Sequence, residues 1–395
     1  MSSARINIYI AREITVPTVL GLVIFTFILL MGRILKLVEL VINKGVPAVD
    51  IVKLFCYLLP SFLVITLPLA FLLGVMLGFG RLSADSEIVA LKSSGISLFG
   101  LSRPVIVLAI AASLITGVLT LAAGPSGNRA FRQNIFQLAS NRATIGIQPR
   151  VFNDEFDNLV LYASDTDERR GTLEGVMISD QRVEDTPSII LAQRGRVISD
   201  HENLTLTLRL DDGSIHRSSP GKDSYQIIKF TTYDLNLNMG EPLHKTENQP
   251  HKAADLKTAD LKTLLATQDL PAANRQKLAV EFHKRFTYPL APLIFALIGV
   301  PLGIQSHRSG RNAGFSLSLI VFLGYYLSLS LAETLVIETG FPPGISLWLP
   351  NLVFLAGGAI LFHQTANEKR YAFFDWIVEA PRRVMKTLFA GKGRS

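Results

Sequence analysis

The chain has little cysteine and little charge for its 395 residues. Its single cysteine, Cys56, excludes a disulfide framework within one chain and a metal site built from cysteine thiolates. Only 18% of the residues are charged, whereas a soluble protein usually carries about 25%. The sequence also lacks a phosphate-binding loop of the Gly-x4-Gly-Lys-Ser/Thr type and a His-Glu-x-x-His zinc motif. We therefore expect no ATP hydrolysis, no metal and no cofactor in this chain.

Apolar residues make up 49% of the chain and crowd into residues 16–123 and 286–362, whereas residues 124–285 have the composition of a soluble domain. The apolar runs lie at 13–32, 54–80, 104–123, 286–306, 312–332 and 345–362. A helix of about 20 residues covers roughly 30 Å, the thickness of the hydrocarbon core of a bilayer. The six runs predict an integral membrane protein and disfavour the buried helices of a large soluble protein. The first run is too long for a signal peptide, so we expect it to be retained as a span.

The placement of Lys and Arg predicts the orientation of the chain. One side collects Arg5, Arg12, Arg81, Lys92, Arg103, Arg308, Arg311 and the basic tail. The short loops on the other side hold Arg33, Lys36, Lys44 and Lys53. We expect the more basic side to be cytoplasmic, which puts both termini in the cytoplasm and the central domain in the periplasm of a bacterial cell. The net charge of +7 then reflects topology and anionic lipid, so no nucleic-acid partner is expected.

The central domain is predicted to be all β. Leu204–Leu210 alternates apolar and polar residues and precedes Asp211-Asp212-Gly213, which is a hairpin signal. Short runs of branched residues at similar spacing favour a jelly roll or an open, curved sandwich. A helix is expected from about Asn274 into the fourth span. The predicted division is spans one to three in 1–123, a periplasmic β-jelly-roll-like domain in 124–280, spans four to six in 281–363, and a basic cytoplasmic tail in 364–395.

Arg33, Lys36 and Glu39 recur at intervals of three residues, so a helix carries them on one face. They lie at the outer end of the first predicted span. Basic residues at such a position often act as snorkelling anchors at the membrane interface. The alternative is a cationic contact for the anionic head group of a lipid, because Arg holds phosphate through two hydrogen bonds.

The cytoplasmic connection between the second and third spans contains a second pattern. Ser83 or Asp85 can cap a short amphipathic helix over about 82–95, and Gly95 can end it. Ile88 would lie on the apolar side of this helix, with charged residues facing outward. A capped, charged helix between two spans suits contact with a motor subunit, and the alternative is a solvated interface helix.

Three stretches around this connection carry a family resemblance. They are Leu67-Pro68-Leu-Ala-Phe-Leu-Leu-Gly74, Gly80-Arg81-Leu and Ser86-Glu87-Ile-Val-Ala-Leu-Lys-Ser-Ser-Gly95. These stretches resemble the lipopolysaccharide-export permeases of the LptF/LptG family. The order of three spans, a β domain and three spans is similar over the whole chain. The Glu281-x-x-Lys284-Arg285 entry to the fourth span leans toward the F-type subunit.

The resemblance implies a non-catalytic permease subunit of an ABC transporter. Such a chain pairs with a second, homologous permease subunit around a central cavity. It binds a cytoplasmic ABC ATPase dimer, which is the part that holds ATP and Mg²⁺. The pair extracts lipopolysaccharide from the inner membrane and passes it through jelly-roll domains to a periplasmic bridge protein of similar domains, which serves outer-membrane biogenesis.

The resemblance also implies roles for individual residues. The contact with the ATPase would comprise Arg81, Asp85, Glu87 and Gly95. The contact with the substrate head group would comprise Arg33 and Lys36. The lateral gate would involve Gly314, Gly324 and Ser328 of the fifth span. Small residues there would allow close approach of the first span. Glu39 departs from this pattern, because a carboxylate beside the basic pair repels phosphate unless it has a partner of its own.

Other functions remain open from the residues. A secondary transporter needs ionisable residues at mid-membrane, which the predicted span interiors lack, since Glu333 lies at the end of the fifth. A membrane-tethered periplasmic binding protein would explain the β domain but not three spans on each side of it. A mechanotransmitting ABC subunit without a transport path fits the same residues.

Overall fold

The computed structural model describes residues 3–44, 47–145, 149–156, 158–167, 172–181, 188–200, 205–218, 225–237, 253–266, 271–306 and 313–367. Contacts between residues divide the chain into two compact units. We call Met1–Gly45, Phe55–Gly127 and Ala253–Ser395 the helical unit, and Val46–Leu54 with Asn128–Lys252 the β unit.

The described residues form both helices and strands. The α-helices are α1 (Ser3–Lys44), α2 (Ala48–Ala84), α3 (Glu87–Ser93), α4 (Leu98–Val118), α5 (Gly124–Ile145), α6 (Thr258–Ala266), α7 (Ala272–Thr287), α8 (Ala291–Ser306), α9 (Ala313–Thr339) and α10 (Pro343–Ala366). A π-helical turn lies at Leu119–Ala123, and 3-10 turns lie at Ala253–Asp255 and Tyr288–Leu290. The strands are β1 (Phe152–Phe156), β2 (Leu159–Asp167), β3 (Thr172–Asp180), β4 (Ser188–Asp200), β5 (Thr205–Ser218) and β6 (Tyr225–Asn236).

Six helical stretches in the described residues are long and apolar enough to cross a membrane, as predicted. They are Ala4–Arg33, Val49–Ala84, Leu98–Leu138, Ala272–Gln305, Gly314–Thr339 and Pro343–Ala366. Several of them continue beyond the predicted apolar runs, because helical hydrogen bonding carries on into polar sequence where neighbouring elements support it. Helices also occupy part of the region expected to be β, since α5 continues from α4 through the π-helical turn and α6 lies between the sheet and α7 in the chain. The helix expected from about Asn274 into the fourth span is confirmed by α7, which begins at Ala272.

The helix α2 is the most buried of these stretches, and α1 is the least buried. Glycines set how closely other helices approach α2. A Cβ at Gly74 would collide with the Thr18 hydroxyl of α1 and lie 2.8 Å from the Ile14 carbonyl oxygen. A Cβ at Gly303 of α8 would lie 2.8 Å from the Phe79 Cβ of α2. Since lipid is as apolar as the side chains, close packing of this kind is what holds helices together in a membrane.

The described strands of the β unit form one antiparallel sheet in the order β1-β2-β3-β4-β5-β6. This confirms a separate β domain in the middle of the chain. Each strand pairs with its neighbours in sequence, which is the connectivity of a meander. The jelly-roll arrangement stays a prediction.

A crease crosses the sheet at Ser164, Gly175, Gln193 and Asp212, four residues that lie between paired neighbours in the strand register but are not themselves paired in it. Gly175 and Asp212 have φ angles of 58° and 53°, the left-handed region that extended strands do not use. In β3, β4 and β5, buried residues alternate with more exposed ones, and this alternation shifts by one residue at the crease. The buried side chains therefore come from one face of the strand before the crease and from the opposite face after it. Side chains from both halves of the sheet consequently pack into one core cluster.

The crease explains why the predicted hairpin at Asp211-Asp212-Gly213 is wrong. These residues lie inside β5, with Asp211 paired to Arg194 and to Thr232. A Cβ at Gly213 would collide with the Leu191 carbonyl oxygen and the Phe230 ring, so glycine is required by close approach rather than by a chain reversal. The alternation of apolar and polar residues over Leu204–Leu210 ends at residue 211, because beyond it the opposite face of the strand points into the core.

One ion pair joins β5 to β6 on the surface of the sheet. The Arg209 guanidinium donates two hydrogen bonds to the Asp234 carboxylate, at 2.7 and 2.8 Å. This arrangement lowers the pKa of Asp234 from its usual value, because the hydrogen bonds and the positive charge favour the carboxylate. The two residues lie directly opposite each other, so the pair fixes the register of the edge strand β6.

We expect Gly74→Ala to destabilise the helical unit by about 1–3 kcal/mol, because a methyl group in this close contact forces the α1 backbone to move. The matched control is Gly357→Ala in α10, where a Cβ meets no atom of the described residues within 4 Å. This control should be neutral or slightly stabilising, since Ala favours helix over Gly. Thermal unfolding in detergent measures both variants, and equal melting temperatures would contradict the close α1–α2 contact.

Candidate functional site

A bend between α2 and α3 forms the candidate site. Ser86, with a φ of 59°, separates the two helices. At the other end of α3, the Gly95 N–H donates to the Lys92 carbonyl at 2.9 Å, and the Ile96 N–H donates to the Leu91 carbonyl at 3.1 Å. This pair of bonds is a Schellman motif, and Gly95 supplies the positive φ of 84° that it needs. The prediction that Gly95 ends the helix is confirmed.

The predicted N-cap of this helix is wrong. Ser86 occupies the N-cap position, and its side chain makes no capping bond within the described part of the chain. The Ser83 hydroxyl instead donates to the Ile304 carbonyl oxygen at 2.8 Å, which joins the end of α2 to the end of α8. The Asp85 carboxylate lies 3.8 Å from Arg81, one turn earlier. A serine hydroxyl satisfied by another helix does not serve as a cap.

The charged residues predicted at this bend are linked to α1. The Arg81 guanidinium donates to the Glu13 carboxylate at 2.9 Å. The Glu87 carboxylate accepts a hydrogen bond from the Tyr9 hydroxyl at 3.0 Å. The Arg81 side chain is 67% exposed and the Glu13 side chain only 18%. The site is therefore a cluster of charges that is open to a partner on one side and fastened to the first helix on the other.

Sequence reasoning assigned no role to Tyr9 or Glu13. Glu13 did interrupt the first apolar run, and a carboxylate at the end of a span needs a partner, so its position was the available signal. Tyr9 gave no comparable signal, because its partner Glu87 lies 78 residues away in the chain.

The apolar side of α3 is fixed in the helical unit. Ile88 is 3% exposed and packs in a cluster that includes Ile10, Leu82 and Leu98. Val89, the next residue, is 67% exposed. The predicted amphipathic character is confirmed, and the outward side of α3 forms part of the surface of this chain.

A buried arginine binds the segment that returns from the β unit. Arg285 of α7 is 2% exposed. Its guanidinium donates to the Thr258 hydroxyl at 2.9 Å, to the Leu256 carbonyl at 2.7 Å and to the Ala253 carbonyl at 3.4 Å. The Arg285 carbonyl accepts a hydrogen bond from the Thr120 hydroxyl at 3.2 Å. One residue therefore contacts both the return segment and the π-helical turn where the chain leaves the helical unit.

The π-helical turn contributes a second contact to this junction. The Leu121 carbonyl accepts a hydrogen bond from the Thr258 hydroxyl at 3.4 Å. Pro125, just beyond the turn, has no N–H to donate to the preceding turn, which is one reason why regular helical bonding gives way here. Glu281 pairs with Arg285 at 3.5 Å. Two of the residues that suggested an F-type subunit thus have a structural role at the junction.

A third charged contact ties α7 to α9. Lys284 and Glu333 form an ion pair at 3.0 Å, and the Tyr288 hydroxyl donates to the same carboxylate at 3.1 Å. Both charged side chains are about one-quarter exposed, at 24% and 23%. The sequence predicts Glu333 at the end of the fifth span, but it lies inside the stretch Gly314–Thr339, six residues before α9 ends. The pairing with Lys284 explains how a carboxylate is tolerated there.

The predicted head-group residues are described only in part. Arg33 is exposed, at the end of the stretch Ala4–Arg33. The side chains of Lys36 and Glu39 lie outside the described residues. The clustering of these charges on one face therefore stays a prediction.

The predicted gate residues of α9 lie in different surroundings. Gly314 is buried, whereas Gly324 is exposed, with the Phe354 ring of α10 3.8 Å from the site of a Cβ. The Ser328 hydroxyl donates to the Tyr325 carbonyl of its own helix at 2.7 Å. Of the large side chains between them, some such as Leu327 are exposed, whereas Phe322 and Tyr325 are buried.

The β unit carries an apolar groove on the side of the sheet away from its core. Phe152, Tyr162, Met177 and Leu191 lie opposite one another across strands β1 to β4 and line it. The groove has a volume of about 630 Å³, which falls within the range of ligand pockets, about 300–1,000 Å³. The sheet therefore has an apolar surface outside its closed core.

Comparison with known proteins gives a consistent result across the chain. The family model described as "Lipopolysaccharide export system permease LptF/LptG" matches residues 8–364. The lipopolysaccharide export system permease protein LptF of Escherichia coli is 20% identical over 361 residues, which cover 89% of this chain and 93% of that protein. An uncharacterized protein of Rickettsia prowazekii is 23% identical over 296 residues, which cover 74% of this chain and 80% of that protein.

We expect Arg285→Met to destabilise the helical unit by about 2–3 kcal/mol, because it leaves two backbone carbonyls and the Thr258 hydroxyl without their buried donor. The matched control is Lys277→Met on the exposed side of the same helix, which should change stability by less than about 0.5 kcal/mol. Thermal unfolding and limited proteolysis near residues 253–258 measure the difference. An Arg285→Met protein that melts and digests like the control would contradict the junction.

Proposed function

This chain belongs to the lipopolysaccharide export permease family LptF/LptG, and from that premise we propose that it extracts lipopolysaccharide from the inner membrane under the drive of a separate cytoplasmic ATPase. The observation that carries the proposal is the match over residues 8–364, which includes the spans and the β unit together. A chain similar in both parts supports a complete transport subunit rather than a membrane anchor with an unrelated outer domain.

The energetics support a motor partner. Removing an acyl chain from a bilayer costs about 0.8 kcal/mol for each CH₂ group, so extracting a lipid with several chains needs an external source of free energy. This chain has no phosphate-binding loop of its own. We therefore assign ATP and Mg²⁺ to a partner ABC ATPase dimer, and place this chain beside a second, homologous permease subunit.

The bend between α2 and α3 is the proposed contact with the ATPase. Arg81, Asp85 and Glu87 present charge at the surface, and Gly95 allows the chain to turn back into α4. The buried Ile88 supports this assignment, because a helix fastened on its inner side can transmit a push. The charges support it too, since oppositely charged groups steer partners together and fix their register.

The first and fifth spans are the proposed lateral gate. Among the six stretches, α1 and the α9 stretch are the two least buried within this chain, so their apolar sides are left to lipid or to another subunit. Gly314, Gly324 and Ser328 would admit close approach of helices along α9. Arg33 and Lys36 would hold the phosphorylated head group at the outer end of α1, and Glu39 would need a partner of its own.

The β unit is proposed to receive lipopolysaccharide after it leaves the membrane. The order of the described strands leaves β1 and β6 at the two edges of the sheet, and an edge strand can pair with a strand of another protein. This supports contact with a periplasmic bridge protein built from similar jelly-roll domains. Apolar surface on the sheet would accept acyl chains. The distribution of Lys and Arg supports a periplasmic β unit and cytoplasmic termini.

The first experiment is gentle purification of the tagged chain from its native membrane, with mass spectrometry of the co-purifying proteins and lipids. We expect an ABC ATPase, a second six-span permease and bound lipopolysaccharide. Photo-crosslinking of lipopolysaccharide from the outer end of α1 would then separate a transport path from a subunit that only transmits motion. A lone chain carrying bulk phospholipid would contradict the proposal.

We expect Glu87→Arg to weaken ATPase binding by about tenfold or more, because a reversed charge in a close interfacial pair turns attraction into repulsion. The matched control is Asp50→Arg, the same reversal at the opposite end of α2, which should leave binding unchanged. Co-purification of the ATPase and lipopolysaccharide release from proteoliposomes measure the effect, and the melting temperature checks that both variants fold. Normal ATPase binding and normal release by Glu87→Arg would count against the assignment.

A further inference from the structure

We propose that Tyr9 and Glu13 are positioning residues that tie the first span to the ATPase-contact bend, so that α1 moves when the bend moves. This inference rests on the proposed function of Arg81 and Glu87 as part of the motor contact. It adds a route from the motor to α1, beside the continuous helix α2.

The first argument is the geometry of the bend. Glu13 holds Arg81 in the last turn of α2, and Tyr9 holds Glu87 in the first turn of α3. The two bonds therefore lie on opposite sides of Ser86, where the chain turns. Because Tyr9 and Glu13 are separated by one helical turn, roughly 6 Å along α1, a change in the bend must move α1 or break one of the bonds.

The second argument is how lightly α1 is held elsewhere. Its buried described residues are Ile10, Ile14, Gly21 and Thr26. The first three lie on one narrow stripe of the helix, and the Thr26 hydroxyl makes a hydrogen bond of 3.0 Å with the Thr66 hydroxyl of α2. Most of the remaining apolar side chains face outward, and α1 is the least buried of the six membrane-crossing stretches. Outside the close contact of α1 with Gly74 and Gly78 of α2, few buried α1 side chains have to separate for α1 to slide or roll against its neighbours.

The third argument is the chemistry of Glu87. A carboxylate has two oxygens and about four lone pairs for accepting hydrogen bonds. Glu87 can therefore keep the Tyr9 hydroxyl and accept a cationic side chain of the ATPase at the same time. A force applied to Glu87 by the motor then reaches α1 through the hydrogen bond from Tyr9. This bond has an ionised acceptor and is therefore stronger than a hydrogen bond between neutral groups.

The experiment compares the wild-type chain with Tyr9→Phe/Glu13→Met in the reconstituted complex with its partner permease and ATPase. Phe lacks the hydroxyl that donates to Glu87, and Met has a similar length to Glu but lacks the carboxylate that accepts from Arg81. The matched control is Thr15→Val, which removes an α1 hydroxyl whose hydrogen bond within the described part of the chain goes to the Ala11 carbonyl of the same helix. Spin labels at Val23→Cys and Leu352→Cys, in a Cys56→Ser background, report the distance between α1 and α10.

The readouts are that distance with and without trapped ATP, ATP hydrolysis, ATPase binding, and lipopolysaccharide released per ATP. We expect the wild type and Thr15→Val to change distance on ATP trapping. We expect the double variant to lose that change and to release about tenfold less lipid per ATP, with binding and hydrolysis within about twofold. A purely structural role would lower stability or assembly without separating hydrolysis from release.

The outcomes distinguish this inference from the proposed function. Equal distance changes in the double variant and the wild type would overturn the link, as would a wild-type α1 that does not move at all. Loss of ATPase binding in the double variant would also overturn it, because Tyr9 and Glu13 would then be docking residues. An ATP-driven movement that the double variant loses, in a wild-type complex that releases no lipopolysaccharide, would support the link and refute the proposed transport function.

Discussion

Every backbone N–H and C=O inside a bilayer has to be satisfied within the protein, because the hydrocarbon core offers no water. The long helices of this chain meet that constraint, and their hydroxyl groups follow the same logic. Thr18, Ser102 and Thr116 donate to carbonyls one turn earlier in their own helices. Some groups that helices cannot satisfy internally lie at helix ends, where they join one element to another, and others pair between helices, as Thr26 does with Thr66. The two charged contacts of the α2–α3 bend and the Arg285 junction are of the first kind.

The same constraint gives α2 its central position. Without a hydrophobic force between helices in lipid, attraction comes from close packing, and glycines at Gly74 and Gly303 let α1 and α8 approach the α2 backbone. The stretch that carries the family resemblance, from Leu67 to Arg81, lies on this buried helix. In the coupling that we propose, the buried α2 would serve as the support against which the less buried α1 moves.

The Arg285 junction solves a different problem, which is how a chain leaves a membrane domain and returns. A returning segment carries carbonyls that no helix satisfies, and the five donors of a guanidinium match several of them at once. Lys could not do the same, because its single ammonium group lacks the planar fork. The connections to and from the β unit are thereby fixed in the helical unit at their bases.

The sequence by itself determined the six membrane-crossing stretches, the β insert between the third and the fourth, and the short helix that follows the second, because the length and hydropathy of a run are one-dimensional signals. It also determined that Gly95 ends α3, since a positive φ at a helix end is a local requirement. Only the tertiary structure decided the partners of Tyr9, Glu13 and Arg285, which lie far away in the chain. The tertiary structure also decided that the sheet has a crease. Residues 211–213 have the sequence of a hairpin turn, but they lie inside β5, and only the pairing of β5 with β4 and β6 shows this.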